Sequence, residues 1–203
     1  MIKNIVLGVL CLAIAFVGYQ IFDAYRVRGA LADVEAPLQT GPQDADLEVV
    51  EFLDYGCPYC REAHPTIMEA VQRDGRVRYI PRPVAFLGPE SAYAAVVAYA
   101  AAQQDKFFEM HDALIRNFDN FNETTMPNIA AQAGADPALI QQQLDKGYLQ
   151  EQVLENLDLF EAMGTNATPT FVIGGDMIYV PEGRMPSVDD FLEMFNKARG
   201  EAQ

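Results

Sequence analysis

The chain has 203 residues, half of them apolar, and carries 14 Lys and Arg against 29 Asp and Glu for a net charge of −15. That length holds one domain with extras, or one domain carrying a large insertion, and the apolar share is enough for a sizeable core. The acidity argues against nucleic acid and anionic membrane surfaces as partners, because both would repel it.

The first element is the uncharged apolar run Ile5–Phe22, preceded by Lys3. Its length suits a signal peptide or a single membrane span. Ala30-Leu31-Ala32 resembles a signal-peptidase site, but Asp23, Arg26 and Arg28 separate it from the apolar run. The reading therefore leans to an uncleaved anchor over residues 1–26. Both readings send the globular part out of the cytoplasm, where disulfides are permitted. Residues 27–46 hold Gly, Pro, Ala, Gln and Asp without period and read as a tether.

Leu47–Leu53 predicts a strand with little alternation, as when both faces of a sheet are covered by helices. A helix from Pro58 to about Arg73 follows, and Asp74-Gly75 closes it. Val77–Ile80 predicts a second strand ended by Pro81 and Pro83, which completes a βαβ unit with a right-handed crossover. After Gly88-Pro89 the chain reads as helical for about seventy residues. Its segments are Ser91–Gln104, Lys106–Asn117, Met126–Ala133, Pro137–Lys146 and Leu149–Met163, punctuated by Gly134, Gly147 and Gly164. Strand character returns at Pro169–Ile173 and Met177–Val180, and a last helix covers Val188–Lys197 with Ser187 as its cap.

The chemistry gathers at Glu51-Phe52-Leu53-Asp54-Tyr55-Gly56-Cys57-Pro58-Tyr59-Cys60. Cys57 falls where a helix begins, and Cys60 lies one turn further in. The first amides of a helix lack internal partners and carry partial positive charge, so they favour an anion placed there. Such a setting lowers a thiol pKa from about 8.5 to roughly 3.5–7.5. Pro58 suits the first helical position, where its missing N–H costs nothing. A zinc half-site is the alternative, but zinc wants four ligands. The other candidates are Cys11, in the apolar run, and the two histidines, His64 and His111. An inert structural disulfide is the remaining alternative. The pattern points to a redox pair with no metal and no cofactor.

The active-site stretch, extended through Arg61-Glu62-Ala63-His64, combines with Ala167-Thr168-Pro169-Thr170-Phe171-Val172-Ile173-Gly174-Gly175. Together they resemble the DsbA-like thiol-disulfide oxidoreductases of the thioredoxin superfamily. Phe86-Leu87-Gly88-Pro89-Glu90-Ser91 and Lys106-Phe107-Phe108-Glu109-Met110-His111-Asp112-Ala113-Leu114 are similar to that family's helical insertion. The likeness covers about Leu47 to Lys197. It implies an α/β thioredoxin-like fold in two parts, 47–87 and 165–203, with an inserted helical domain over 88–164 and the N-terminal anchor or signal helix in front.

The resemblance also implies roles. Cys57 is the expected nucleophile and Cys60 the resolving thiol. Thr168-Pro169 is the expected cis-proline loop facing the disulfide, with the Thr168 backbone free to pair with substrate. Glu51, flanked by apolar residues, is the expected buried acid, with a raised pKa and a proton relay to Cys60. Pro65 matches a kink proline in the first helix. His64, one turn beyond Cys60, could face the site and tune the thiolate, although a histidine there is more often on the helix surface. His111 reads as structural. Two departures point to a milder oxidant than the strongest members: Pro58-Tyr59 stands between the cysteines in place of Pro-His, and Thr168 precedes the proline in place of Val.

The expected function is exchange of disulfides with protein thiols in the cell envelope, either anchored in the inner membrane facing the periplasm or secreted into it. Oxidation of folding substrates is the first reading. The alternatives are a reductase or isomerase of milder poise, and a chaperone-like peptide-binding protein. The expected partners are exported proteins with free thiols or disulfides and a membrane redox partner that resets the pair.

Overall fold

Residues 12–19 and 26–201 are described by a computed structural model. The order begins with strand β1 (Leu47–Leu53), helix α1 (Pro58–Asp74) and strand β2 (Val77–Pro83). Five helices follow: α2 (Pro89–Ala102), α3 (Phe107–Asn117), α4 (Met126–Gln132), α5 (Pro137–Lys146) and α6 (Leu149–Ala162). Strands β3 (Thr170–Ile173) and β4 (Met177–Tyr179) and helix α7 (Val188–Arg199) close the chain. The sheet order is β2-β1-β3-β4, with β1–β2 parallel and the other two pairings antiparallel.

Strand residues alternate between the two faces of the sheet. Val49 and Phe171 face α1 and α7, where they pack with Ala63, Ile67, Phe191 and Phe195. Val50, Phe52 and Val172 face the other way, against Leu31 and Phe160. Glu51, two residues after Val49, therefore points to the α1 side, beneath the cysteines. The inserted helices form their own cluster around the Ala-rich α2, and this cluster reaches Tyr55, Cys57 and Cys60. The small side chains of α2 let the neighbouring helices close over the active-site loop. α7 opens with a capping box between Ser187 and Asp190.

Two expectations are corrected here. The second strand was expected to stop before the prolines, but it runs through Pro81 and Pro83. β2 is an edge strand, and the Tyr79 amide points outward to Thr40. Pro81 and Pro83, two and four residues on, lack their N–H on that same outer side, where no ladder bond is lost. The expected tether is also packed against the domain. Residues 26–31 are helical, and Val27, Leu31 and Leu38 are buried. Thr40 exchanges two backbone hydrogen bonds with Tyr79, at 2.9 and 2.8 Å. The buried Arg82 guanidinium donates to the carbonyls of Ala30, Leu31 and Asp33 and to Asn156 Oδ1.

Among the described residues no helix is long and apolar enough to cross a membrane. The anchor expected at Ile5–Phe22 lies outside the described residues except for 12–19, as does Cys11.

Candidate active site

The site begins where β1 ends. Asp54 is fully buried, and its carboxylate ties two loops together. Oδ1 accepts from the Gly56 amide at 2.8 Å, and Oδ2 accepts from the Phe86 and Leu87 amides at 3.1 Å each. The Asp54 carbonyl accepts the Cys57 amide at 2.9 Å. Gly56 leaves no room for a side chain, since a Cβ there would lie 2.6 Å from Ser91 Oγ. The loop is thus pinned between the sheet and the start of the helical insertion.

Cys57 is the N-cap of α1 and Pro58 occupies its first turn. Both cysteines are thiols here. Cys57 Sγ lies 3.3 Å from the Thr168 carbonyl, and the Thr168–Pro169 bond is cis, so the second motif does meet the first. Tyr59 points to solvent, 57% exposed. It borders a groove of about 250 Å³ that is also lined by Thr168, Pro169, Val180, Pro181 and Met185.

The two sulfurs differ sharply. A hydrogen bond from the Cys60 thiol, with further help from Thr168 and the Cys60 and Tyr59 amides, outweighs burial and brings Cys57 down to about 6. Cys60 is driven far above the thiol range, first by burial, then by its bond to Cys57 and the negative charge of Glu51. Glu51 is 1% exposed and is pushed up to about 7 by burial, which the Tyr79 hydroxyl and the charge of His64 only partly offset. The site therefore offers a thiolate at Cys57, a retained proton at Cys60, and a carboxyl group poised near neutrality beneath them.

His64 does not sit on the helix surface. It is buried, and its Nε2 lies 2.7 Å from Asp112 Oδ1 on α3. That bond brings Asp112 down to about 2. His111 is also buried, with Nδ1 2.9 Å from the Tyr55 hydroxyl, and burial lowers it to about 3. Pro65 lies inside α1. Among the described residues no group of three or more His, Cys, Asp or Glu could hold a metal ion.

Sequence reasoning did not single out Asp54, Tyr79, Asp112 or Ser91. Asp54 carried a signal, because an Asp two residues before Gly56 is an Asx-turn former. Tyr79 and Asp112 reach the site through strand register and helix packing, which no local pattern announces.

The family model described as Thioredoxin matches residues 33–193. A solved thioredoxin-like oxidoreductase from Silicibacter pomeroyi DSS-3 superposes with a TM-score of 0.70 at 32% identity, covering 81% of this chain and 92% of that one. Disulfide bond formation protein D of Bacillus subtilis is 29% identical over 150 residues, 68% of each chain. The Na(+)/H(+) antiporter NhaA 3 of Salinispora tropica is 31% identical over 137 residues, 66% of this chain and 21% of the antiporter. The chain thus spans about a fifth of the length of the antiporters at the head of these matches. With the fold, the paired cysteines at a helix N-terminus and the facing cis-proline in place, the chain belongs to the thioredoxin family.

Proposed function

We propose that this protein oxidises the thiols of exported proteins, with a milder poise than the strongest oxidases of its kind. The observation that carries the reading is the asymmetry of the two sulfurs above Glu51. A substrate thiolate attacks Cys57 Sγ of the disulfide and the Cys57–Cys60 bond breaks. Cys60 leaves with the electron pair and takes a proton from Glu51. A second substrate thiolate then attacks the substrate sulfur of the mixed disulfide and expels Cys57 as a thiolate. The substrate loses two electrons and the chain gains two, which a membrane redox partner removes. The groove beside Tyr59, Thr168 and Pro169 would hold the substrate strand.

Stabilising the Cys57 thiolate stabilises the dithiol and makes the disulfide a better oxidant. At about 6, Cys57 falls between thioredoxin, near 7, and DsbA, near 3.5. Scaling from their potentials at ~30 mV per tenfold gives about −240 mV from the first and about −195 mV from the second, centred near −220 mV. That intermediate value is what Tyr59 and Thr168 implied, and it keeps reductase or isomerase duty as the second reading.

The anchor belongs to the same proposal. Leu12, Ile14, Phe16, Val17 and Tyr19 lie on a helical stretch and are 54–73% exposed, which suits a lipid surround. Equilibration of the full chain in detergent against glutathione buffers tests the poise. A potential near −220 mV supports the reading, and one at or below about −270 mV makes the dithiol the working form. Persistence of disulfide-dependent rescue in Cys57→Ser would transfer the function to peptide holding.

A further inference from the structure

The Glu51 carboxylate is sealed in the core, and among the described residues it receives one hydrogen bond, from the Tyr79 hydroxyl at 2.5 Å. Tyr79 is itself fully buried. In the parallel pairing Tyr79 lies opposite Val49 and Glu51 lies opposite Pro81, so the phenol reaches diagonally along one face of the sheet to the acid. Its backbone is fixed as well, because both its amide and its carbonyl are taken by Thr40. Gly41 allows that approach, since a Cβ there would meet the Val77 carbonyl at 2.3 Å with φ at +124°.

We propose that Tyr79 is a positioning residue for the exchange reaction: its hydroxyl holds Glu51 in one orientation beneath Cys60 and sets how readily that acid takes the Cys60 proton. This rests on the reading of Glu51 as the proton relay. The groups facing Glu51 are Tyr79 from β2, Cys57, Cys60 and His64 from α1, and Tyr55 from the loop. His64 is engaged by Asp112, and Tyr55 by His111. Burial and the Glu51 charge hold the Tyr79 phenol well above the usual tyrosine range, so it stays a neutral donor wherever the acid titrates. A neutral donor favours the carboxylate less than a lysine or arginine would. The acid is therefore left near neutrality, where it can both accept and return a proton.

The step that reads this is attack by Cys60 on a mixed disulfide. The Cys60–Cys57 bond forms, the bond from Cys57 to the departing sulfur breaks, and the Cys60 proton passes to Glu51. Full-length protein loaded at Cys57 with glutathione releases it at a rate that can be followed across pH. In the wild type the rate rises through an inflection near pH 7, where Glu51 loses its proton. Tyr79→Phe keeps the buried ring and removes only the donor. It is expected to move the inflection up by about one pH unit and to slow release at pH 7 about fivefold. Glu51→Gln removes the inflection, and adding Tyr79→Phe to it changes nothing further. The infrared carbonyl stretch of the buried acid, titrated in the same variants, gives the midpoint without reference to the reaction. If Glu51→Gln abolishes the inflection while Tyr79→Phe superimposes on the wild type, the role of Tyr79 is overturned and the relay stands. A wild-type profile in Glu51→Gln overturns both.

Discussion

Removing residues 26–34 is expected to destabilise the catalytic domain by about 4 kcal/mol. Leu31 and Val27 are 4% and 8% exposed, and Leu31 packs on Val50, Phe52, Ile80 and Val172 across the sheet face. Burying two such side chains contributes about 3 kcal/mol, at the low end because Phe160 still shields part of that face. The Arg82 guanidinium loses the Ala30, Leu31 and Asp33 carbonyls but keeps Asn156 Oδ1. Opening the segment also lets water reach Arg82, so the lost bonds cost about 1 kcal/mol together and not the larger penalty of a buried, unpaired charge. Against a total stability of roughly 5–15 kcal/mol, the loss is large. Urea unfolding of the chain beginning at Arg26, compared with the chain beginning at Glu35, measures it. The shift in Tm should be roughly 8–16 °C. A difference below about 1 kcal/mol would return the segment to the status of a free tether. A cut after Ala32 would also remove Leu31 and the Ala30 carbonyl. The mass of the protein isolated from its native cells should therefore include them.

Titration of thiolate absorbance should show one group with a midpoint near 6 that vanishes in Cys57→Ser, and no Cys60 thiolate through pH 10. The folded value of Cys57 is depressed below the unfolded ~8.5. Its contribution to dithiol stability is fully present above pH ~8.5 and is lost as pH falls through about 6. The unfolding free energy of the reduced protein should follow that course, and a flat profile between those values would contradict the assignment. Gly56→Ala should cost about 1–3 kcal/mol, because the new methyl would lie 2.6 Å from Ser91 Oγ. Ser91→Ala in the same chain should restore part of the loss. Full recovery is not expected, since Phe118 stays 3.2 Å away.

The parts of the fold that were legible in the sequence are those set by local chemistry. An apolar run marked β1. Cys57-Pro58 marked the start of α1 and Ser187 the start of α7, where a capping box forms. Pro137 and Gly147 bracket α5 as the pattern indicated; the structure adds Asp136 as the cap that accepts the Ala138 amide, and Gly147 takes a left-handed turn. What was not legible depends on partners distant in sequence. Pro81 and Pro83 read as breakers because nothing local reveals that β2 is an edge strand with those positions turned outward. Residues 27–46 read as a tether because only scattered side chains, Val27, Leu31 and Leu38, are buried, and the rest of the attachment runs through backbone groups and through ion pairs of Arg28 and Asp46 with residues distant in sequence. Helix phase placed His64 near Cys60 but could not reveal Asp112 across the α1–α3 contact. At the active site the two motifs named the sulfurs, the acid and the facing proline. The donor that positions the acid came only from the register of β2 against β1.

The state of the Cys57–Cys60 pair inside intact cells tests the central claim most directly. Acid quenching followed by alkylation with a mass tag counts the free thiols before exchange can redistribute them. An oxidase kept charged by a membrane partner is predicted to be found mostly as the disulfide, and Cys60→Ser to accumulate mixed disulfides with exported proteins. A steady state dominated by the dithiol, with no such conjugates, would contradict the account and assign the chain to disulfide reduction.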